Sequence, residues 1–200
     1  MNLECPIQEV GDLKGQVDER GPWIYVGTAG RRYFPCSPRP EEVEIEHIAH
    51  ALSQINRYTG HTRFPVSVAQ HAVLCSLLAP SEVALEALLH DAAEAYVGDL
   101  SRPVKQWLRA RDPSWDILED LNARVIARRF DLRYPWPAAV AVADNAALAI
   151  EVRNAHCGEF SQLLTERGIV ANPNMIIGKV SPLAIKREFL HMYERLRRDK

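Results

Sequence analysis

An apolar helical run from Val83 to Tyr96 contains a histidine followed directly by an aspartate, His90 and Asp91. A carboxylate buried without a partner is so costly that it pairs with a cation, binds a metal or shifts its pKa. Successive helical residues lie about 100° apart, so these two side chains can flank one point. Glu94 follows one turn later on the same side. The run therefore predicts either half of a metal site with a spare carboxylate, or a core histidine beside an aspartate paired with an arginine.

A second histidine, His71, lies in a predicted helix over residues 67–79. Ser67 and Gln70 fit the capping-box pattern at the start of this helix. The positions i+3, i+4 and i+7 from His71 carry leucine, cysteine and leucine, so His71 faces the core as a metal ligand or as a structural histidine. The connection to the next helix is short, which favours antiparallel packing and would lay His71 against His90.

A third candidate is Asp144, the single acid in the alanine-rich segment 137–150. Such small side chains indicate close helix packing, so this carboxylate also needs a metal, an arginine or a hydrogen-bonded structural role. Taken together, the candidates provide two imidazoles and two carboxylates from three predicted helices. Nitrogen and oxygen donors of this kind suit Mn, Fe, Co, Ni or Zn.

Charge and hydropathy exclude several function classes. The 200 residues carry 24 basic and 26 acidic side chains, a formal net charge of −2, which does not favour binding of a nucleic acid polymer. The sequence contains no apolar stretch of about 18 residues, which is the length that would predict a membrane span. The N-terminus lacks the pattern of a signal peptide, and the four cysteines form no C-x-x-C pair. The expected compartment is the cytoplasm.

The remaining pattern predicts one all-α domain with a small N-terminal β-hairpin. We expect loose structure over residues 1–21, a hairpin at 23–34 that turns at Ala29 and Gly30, and a helix that opens at Glu41. The domain spans residues 1–200, with a core over about 41–155. Helices follow Pro103, Ser114, Pro137 and Gly158, and a last, exposed helix covers 182–197.

The motifs resemble those of the HD-domain metal phosphohydrolases, whose pattern is H…HD…D. The resemblance rests on the segments Ser67 to His71, Leu88 to Glu94, and Gly98 to Leu100 with Pro103 to Lys105. They look like the branch that includes the bacterial 5'-deoxynucleotidases. Ile45 through Ala92 looks closer still to phage-type relatives, among them dATP triphosphohydrolases. The resemblance covers roughly residues 22–155 and implies a helical HD-domain bundle.

The resemblance also implies roles for individual residues. The metal ligands would be His71, His90, Asp91 and Asp144, and acids that assist hydrolysis would be Glu94 and Asp99. Arg57 and Tyr58 match an Arg-Trp pair that helps to hold phosphate and exclude a ribose 2'-hydroxyl, with tyrosine here in place of tryptophan. The substrate loop would extend through His61 and Arg63, and Lys105 would help to neutralise phosphate oxygens; the alternative for these three residues is ordinary surface charge.

The implied function is a metal-dependent phosphohydrolase acting on deoxyribonucleotides. Its first candidate reaction converts a dNTP, with dATP foremost, to a deoxynucleoside and triphosphate. The alternatives are a 5'-deoxynucleotidase acting on dNMPs, and a non-catalytic nucleotide-binding regulatory HD module. The expected cofactor is Co, Mn, Zn, Fe or Ni, with additional Mg as a further candidate. The family resemblance favours a homo-oligomer in the cytoplasm, or in the host cytoplasm for a phage-encoded chain.

Overall fold

A computed structural model describes residues 18–27, 30–156 and 158–199. Two short strands precede a series of helices, with 3₁₀ turns at Pro40–Glu42, Arg57–Gly60 and Ser81–Val83. The strands and helices are β1 (Ile24–Val26), β2 (Arg31–Tyr33), α1 (Ile45–Leu52), α2 (Val68–Leu78), α3 (Ala84–Leu89), α4 (Glu94–Val97), α5 (Arg102–Arg109), α6 (Ser114–Arg129), α7 (Ala138–Ala155), α8 (Glu159–Glu166) and α9 (Pro182–Arg198). The predicted all-α fold with a small β-hairpin is confirmed.

The hairpin is antiparallel and pairs Ile24 with Tyr33. Tyr33 turns into the core, where its ring stacks on Tyr96 at 3.9 Å and its hydroxyl donates to Asn122 Oδ1 at 2.7 Å. The hairpin therefore closes one end of the helical core. Ala29 in the predicted turn, and most of the segment 1–21 expected to be loose, lie outside the described residues.

Helix α2 lies at the centre of the domain and packs against α3, α7 and α9. Its residues from Val68 through Ser76 are all buried, as expected of a helix that is covered on every side. The predicted N-cap is confirmed, because Ser67 accepts a hydrogen bond from the backbone of Gln70 at 3.1 Å. The second half of the capping box is wrong: the Gln70 amide donates to the Gly178 carbonyl at 3.0 Å.

The prediction of one continuous helix from Val83 to Tyr96 is wrong at its centre. Helix α3 ends at Leu89, and α4 begins at Glu94. Between them the backbone hydrogen bonds join residues three positions apart: Ala92 N donates to Leu89 O at 3.1 Å, and Glu94 N donates to Asp91 O at 3.0 Å. This is the tighter 3₁₀ pattern, which often marks functional positions within helices. The break falls on the His90–Asp91 pair itself.

Three smaller expectations also differ from the structure. Pro40–Glu42 forms a 3₁₀ turn, so the helix predicted to open at Glu41 begins at Ile45. The sequence also predicts Ser81 as the cap of the helix that carries His90 and Asp91, but Ser81 makes no side-chain cap. The last helix is not an exposed appendage, because α9 packs against α1, α2 and α3 and buries Phe189 completely. Among the helices of the described ranges, none is both long and apolar enough to cross a membrane.

We expect the Arg133→Met variant to have a lower free energy of unfolding than wild type at pH 7, because the buried Glu86 carboxylate loses a hydrogen-bond donor. Arg133 Nε donates to Glu86 Oε1 at 2.8 Å, and only 4% of the Glu86 side chain is exposed. Burial alone would raise the pKa of Glu86, but the hydrogen bonds from Arg133 lower it. The pair therefore contributes stability above the unfolded pKa of about 4.3, and loses it as the pH falls through the lower folded pKa.

Urea unfolding of both proteins at pH 7 and near pH 3 measures the effect. The difference between wild type and Arg133→Met should shrink at the acidic end, and a pH-independent difference would contradict this origin. Arg124→Met is the matched control, because Arg124 pairs with Asp120 at 2.7 Å on an exposed face. Its cost should stay below about 1 kcal/mol.

Candidate metal centre

Three separate segments bring the predicted ligand residues together. His71 lies on α2, His90 and Asp91 lie on the tight turn after α3, and Asp144 lies on α7. His71 Nε2 is 3.2 Å from Asp144 Oδ1 and 3.5 Å from Asp91 Oδ2. His90 Nε2 is 3.2 Å from the same Asp91 oxygen. The predicted packing of His71 against His90 is confirmed, with ring centroids 5.3 Å apart.

The two imidazoles present suitable nitrogens to a cation. His90 Nδ1 is bonded to the Ala87 carbonyl at 2.8 Å, and His90 Nε2 is a buried atom without a hydrogen-bond partner among the described residues. His71 Nδ1 is bonded to Glu151 Oε1 at 2.7 Å, which leaves Nε2 facing the carboxylates. In metal-ligating histidines, a hydrogen bond from the ring nitrogen that does not bind the metal orients the ring. The cluster can therefore hold a divalent metal ion.

The two aspartates are held ionised by their surroundings. Burial alone would raise the pKa of Asp91, but His90, His71 and Arg57 lower it. For Asp144, burial is likewise outweighed by His71, which lowers its pKa. Carboxylates must be deprotonated to coordinate a metal, so both groups are in the required form near neutral pH.

Cys75 is a member of the cluster that sequence reasoning did not select. Ligand atoms of His71, Cys75, His90 and Asp144 all lie within 4.8 Å of one another. Cys75 Sγ is 3.4 Å from His71 Nε2, and burial raises the pKa of the thiol. Its position at i+4 from His71 was the available signal, since residues four apart share a helix face.

Glu94 lies beside the cluster in an unusual electrostatic position. Its side chain is buried, and Oε2 has no hydrogen-bond partner within the described ranges. Burial, Asp91 and Asp99 raise the pKa of Glu94 well above its ordinary value. Burial also raises the pKa of Asp99, the second predicted acid. A buried carboxyl group whose pKa is raised above its ordinary value is suited to acid–base chemistry.

Lys105 is held between carboxylates on the far side of Glu94. Its Nζ is 2.6 Å from Glu119 Oε1 and 3.5 Å from Glu94 Oε1. The structure thus places the predicted phosphate-binding lysine next to the predicted acid–base residue. Glu119 was not predicted, because nothing in the local pattern of α6 distinguishes it from a surface acid.

The predicted substrate residues Arg57 and Tyr58 meet a buried carboxylate, Glu151, on α7. Arg57 Nε donates to Glu151 Oε2 at 3.1 Å, and the Tyr58 hydroxyl donates to the same oxygen at 2.6 Å. Arg57 Nη1 also lies 3.6 Å from Asp91 Oδ2. Although burial alone would raise it, His71 and Arg57 hold the pKa of Glu151 at about 2. The sequence signal for Glu151 was its spacing of seven residues from Asp144, two turns along one helix face.

His61 and Arg63 lie farther along the same loop, and Arg63 contacts the end of α7. Arg63 Nη2 donates to the Asn154 carbonyl at 2.6 Å, and the Arg63 backbone bonds to Ala155. An open depression of about 460 Å³ adjoins them, lined by Gly60, His61, Thr62, Arg63, Ala155 and His156. The loop therefore places the guanidinium of Arg63 beside this depression, next to the Arg57–Gly60 turn.

Comparisons with known proteins were made by family model, sequence and structure. No family model matches the chain. YfdR of Escherichia coli K12 is 39% identical over 126 residues, covering 63% of this chain and 68% of that protein. RCAP_rcc00048 of Rhodobacter capsulatus is 32% identical over 171 residues, covering 79% of this chain and 81% of that protein. Both are described as uncharacterized proteins.

A structural similarity was found to the HD phosphohydrolase DatZ of cyanophage S-2L, bound to dA and one catalytic Zn²⁺ ion. The TM-score is 0.46 at 18% sequence identity, over 76% of this chain and 96% of that chain. The family assignment rests on the two sequence relatives, because the aligned regions cover more than two thirds of each relative. The chain belongs to the family of YfdR and RCAP_rcc00048, and its helical fold brings together the side chains of its H…HD…D pattern, His71, His90, Asp91 and Asp144.

Proposed function

We propose that this chain is a metal-dependent phosphohydrolase acting on deoxyribonucleotides. The observation that carries the proposal is the convergence of two histidines and two aspartates with a protonatable glutamate beside them. His71 and Asp144 are 73 positions apart in the sequence, yet their side chains lie 3.2 Å apart. A structural core has no need for so many partly desolvated ionisable groups at one point.

The residues present fit a transition-metal ion. We assign His71, His90, Asp91 and Asp144 as its ligands, with two neutral imidazoles and two carboxylates suited to Mn, Fe, Co, Ni or Zn. When bound, such an ion acts as a Lewis acid on a phosphoryl oxygen and makes water more acidic. A second ion such as Mg stays a prediction from the family resemblance.

The surrounding side chains divide the remaining tasks. Glu94 takes or returns the proton of the attacking water, and Asp99 supports it. Arg57 lies beside Asp91, where its guanidinium can meet a phosphate next to the metal ligands. Tyr58 faces the sugar, and Lys105 orients Glu94 as well as adding positive charge. His61 and Arg63 extend the substrate surface.

The proposed reaction is hydrolysis of a dNTP to a deoxynucleoside and triphosphate, with dATP the first candidate. The support is the resemblance of Ile45 through Ala92 to phage-type dATP triphosphohydrolases. The alternative is removal of phosphate from dNMPs by a 5'-deoxynucleotidase, which the Arg57–Tyr58 pair favours through its own resemblance. Both reactions use the same ligands and the same proton carrier.

Product analysis by ion-exchange chromatography distinguishes the reactions. The protein is incubated with Mn²⁺ or Co²⁺ and each of the four dNTPs, ATP and the matching monophosphates. We expect intact triphosphate and deoxyadenosine from dATP, and little product from ATP. Orthophosphate released only from monophosphates would identify a 5'-nucleotidase instead. Nucleotide binding without turnover of any substrate would favour the regulatory HD module.

The homo-oligomeric state and the cytoplasmic location stay predictions. Light scattering coupled to size-exclusion chromatography measures the mass of the particle in solution. A particle of 22.6 kDa, the mass of one chain, would contradict the predicted oligomer.

A further inference from the structure

Glu151 is a buried carboxylate that connects the metal cluster to the Arg57–Gly60 turn. Its side chain is 0% exposed on α7, and both of its oxygens are used. Oε1 lies 2.7 Å from His71 Nδ1, while Oε2 accepts from Arg57 and Tyr58. A carboxylate with three donors from two other segments is far more specific than an ordinary ion pair.

The contact with Glu151 determines which nitrogen of His71 is available. An ionised carboxylate only accepts hydrogen bonds, so His71 Nδ1 must carry the proton. His71 Nε2 is therefore the nitrogen that would face a metal ion, and it lies 3.2 Å from Asp144 Oδ1. Partners of this kind orient the ring of a ligand histidine and increase its basicity.

The same carboxylate holds a backbone turn that is unfavourable by itself. Tyr58 and Thr59 have φ values of +57° and +53°, in the left-handed region that side chains other than glycine rarely adopt. Such residues persist when the surrounding structure over-determines them. Here the Tyr58 hydroxyl and the Arg57 guanidinium are fastened to Glu151, so the position of the turn depends on that carboxylate.

We infer that Glu151 is a positioning residue that couples metal binding at His71 to the arrangement of the Arg57–Tyr58 turn. This inference rests on the metal site and substrate turn of the proposed function. With a metal ion held by His71, the hydrogen bond from Nδ1 to Glu151 would be stronger, and a fixed Glu151 would hold the turn in place for a phosphate. Since coupling between two sites is reciprocal, loosening the turn must also weaken metal binding.

Tyr58→Phe tests this coupling without altering any proposed ligand. The variant keeps the aromatic ring but loses the 2.6 Å hydrogen bond to Glu151. We expect its Co²⁺ affinity, measured by competition with a chromogenic chelator, to fall by about 10-fold. Glu151→Gln should lose about 10- to 100-fold, because an amide cannot accept from all three donors. Tyr134→Phe is the control: it loses an equivalent 2.6 Å bond to Asp120 and should bind Co²⁺ like wild type.

A second measurement, dAMP binding, reports on the Arg57–Tyr58 turn. Binding of dAMP is titrated with and without Co²⁺, and the metal should strengthen binding in wild type much more than in Glu151→Gln. Equal Co²⁺ affinities for Tyr58→Phe and Tyr134→Phe, with an unchanged dAMP response, would overturn the coupling even if Glu151→Gln fails to fold. Coupled binding without nucleotide hydrolysis would overturn only the proposed function, whereas a wild type that binds no Co²⁺, Mn²⁺ or Zn²⁺ would overturn both.

Discussion

Replacing Asp144 by asparagine should remove metal binding and hydrolysis together. Asp144 Oδ1 lies 3.2 Å from His71 Nε2, and its side chain is 30% exposed, so the isosteric amide should leave the fold intact. Loss of a group that only orients a ligand already costs about 10- to 100-fold in affinity. Loss of a charged ligand should therefore cost more than about 100-fold, with hydrolysis falling at least in proportion.

Co²⁺ competition titration and product analysis measure the two effects on one preparation. Asp116→Asn is the matched control, because Asp116 pairs with Arg109 on the exposed side of α6, where no proposed ligand lies. It should retain both properties. An Asp144→Asn protein that binds Co²⁺ with wild-type affinity would remove Asp144 from the ligand set.

Replacing Glu94 by glutamine should lower kcat by about 10²- to 10⁴-fold while metal affinity stays close to that of wild type. Burial, Asp91 and Asp99 favour the protonated, uncharged form of Glu94, and a neutral amide resembles that form. The fold should therefore tolerate the change. The amide cannot exchange a proton, so the loss falls on the chemical step.

Glu119→Gln separates the proton transfer from the role of Lys105. Both glutamates contact Lys105: its Nζ lies 3.5 Å from Glu94 and 2.6 Å from Glu119, but Glu119 is not among the proposed site residues. We expect Glu119→Gln to lower kcat far less than Glu94→Gln. Equal losses in the two variants would indicate that both act through Lys105, and full activity in Glu94→Gln would contradict its acid–base role.

Local sequence patterns predicted the features that depend on near neighbours along the chain. The 3.6-residue period located the helices, because one face of each must be buried against another element. Ser67 was recognised as an N-cap because its partner, Gln70, is three residues away. His71, His90–Asp91 and Asp144 were selected because ionisable side chains in apolar helices require an explanation.

Tertiary structure decided the features that depend on residues distant in the sequence. The spacing of Glu151 from Asp144 places both on one face of α7, but only the folded chain shows that Glu151 lies 2.7 Å from His71 and bonds to Arg57 and Tyr58. The sequence pattern predicts a local capping role for the Gln70 side chain, but its amide donates a hydrogen bond to the Gly178 carbonyl, 108 positions away. Partners so far apart leave no periodic trace in a single sequence.

The break between α3 and α4 is another feature that tertiary structure decided and the local sequence did not predict. The composition of Val83 to Tyr96 favours one helix, and periodicity contains no signal for a tight turn at its centre. The sequence by itself determined which side chains could form a metal site and which helices carry them. Only the packing of α2, α7 and the broken α3–α4 segment decided their distances, because burial of those helices against one another is a property of the whole chain.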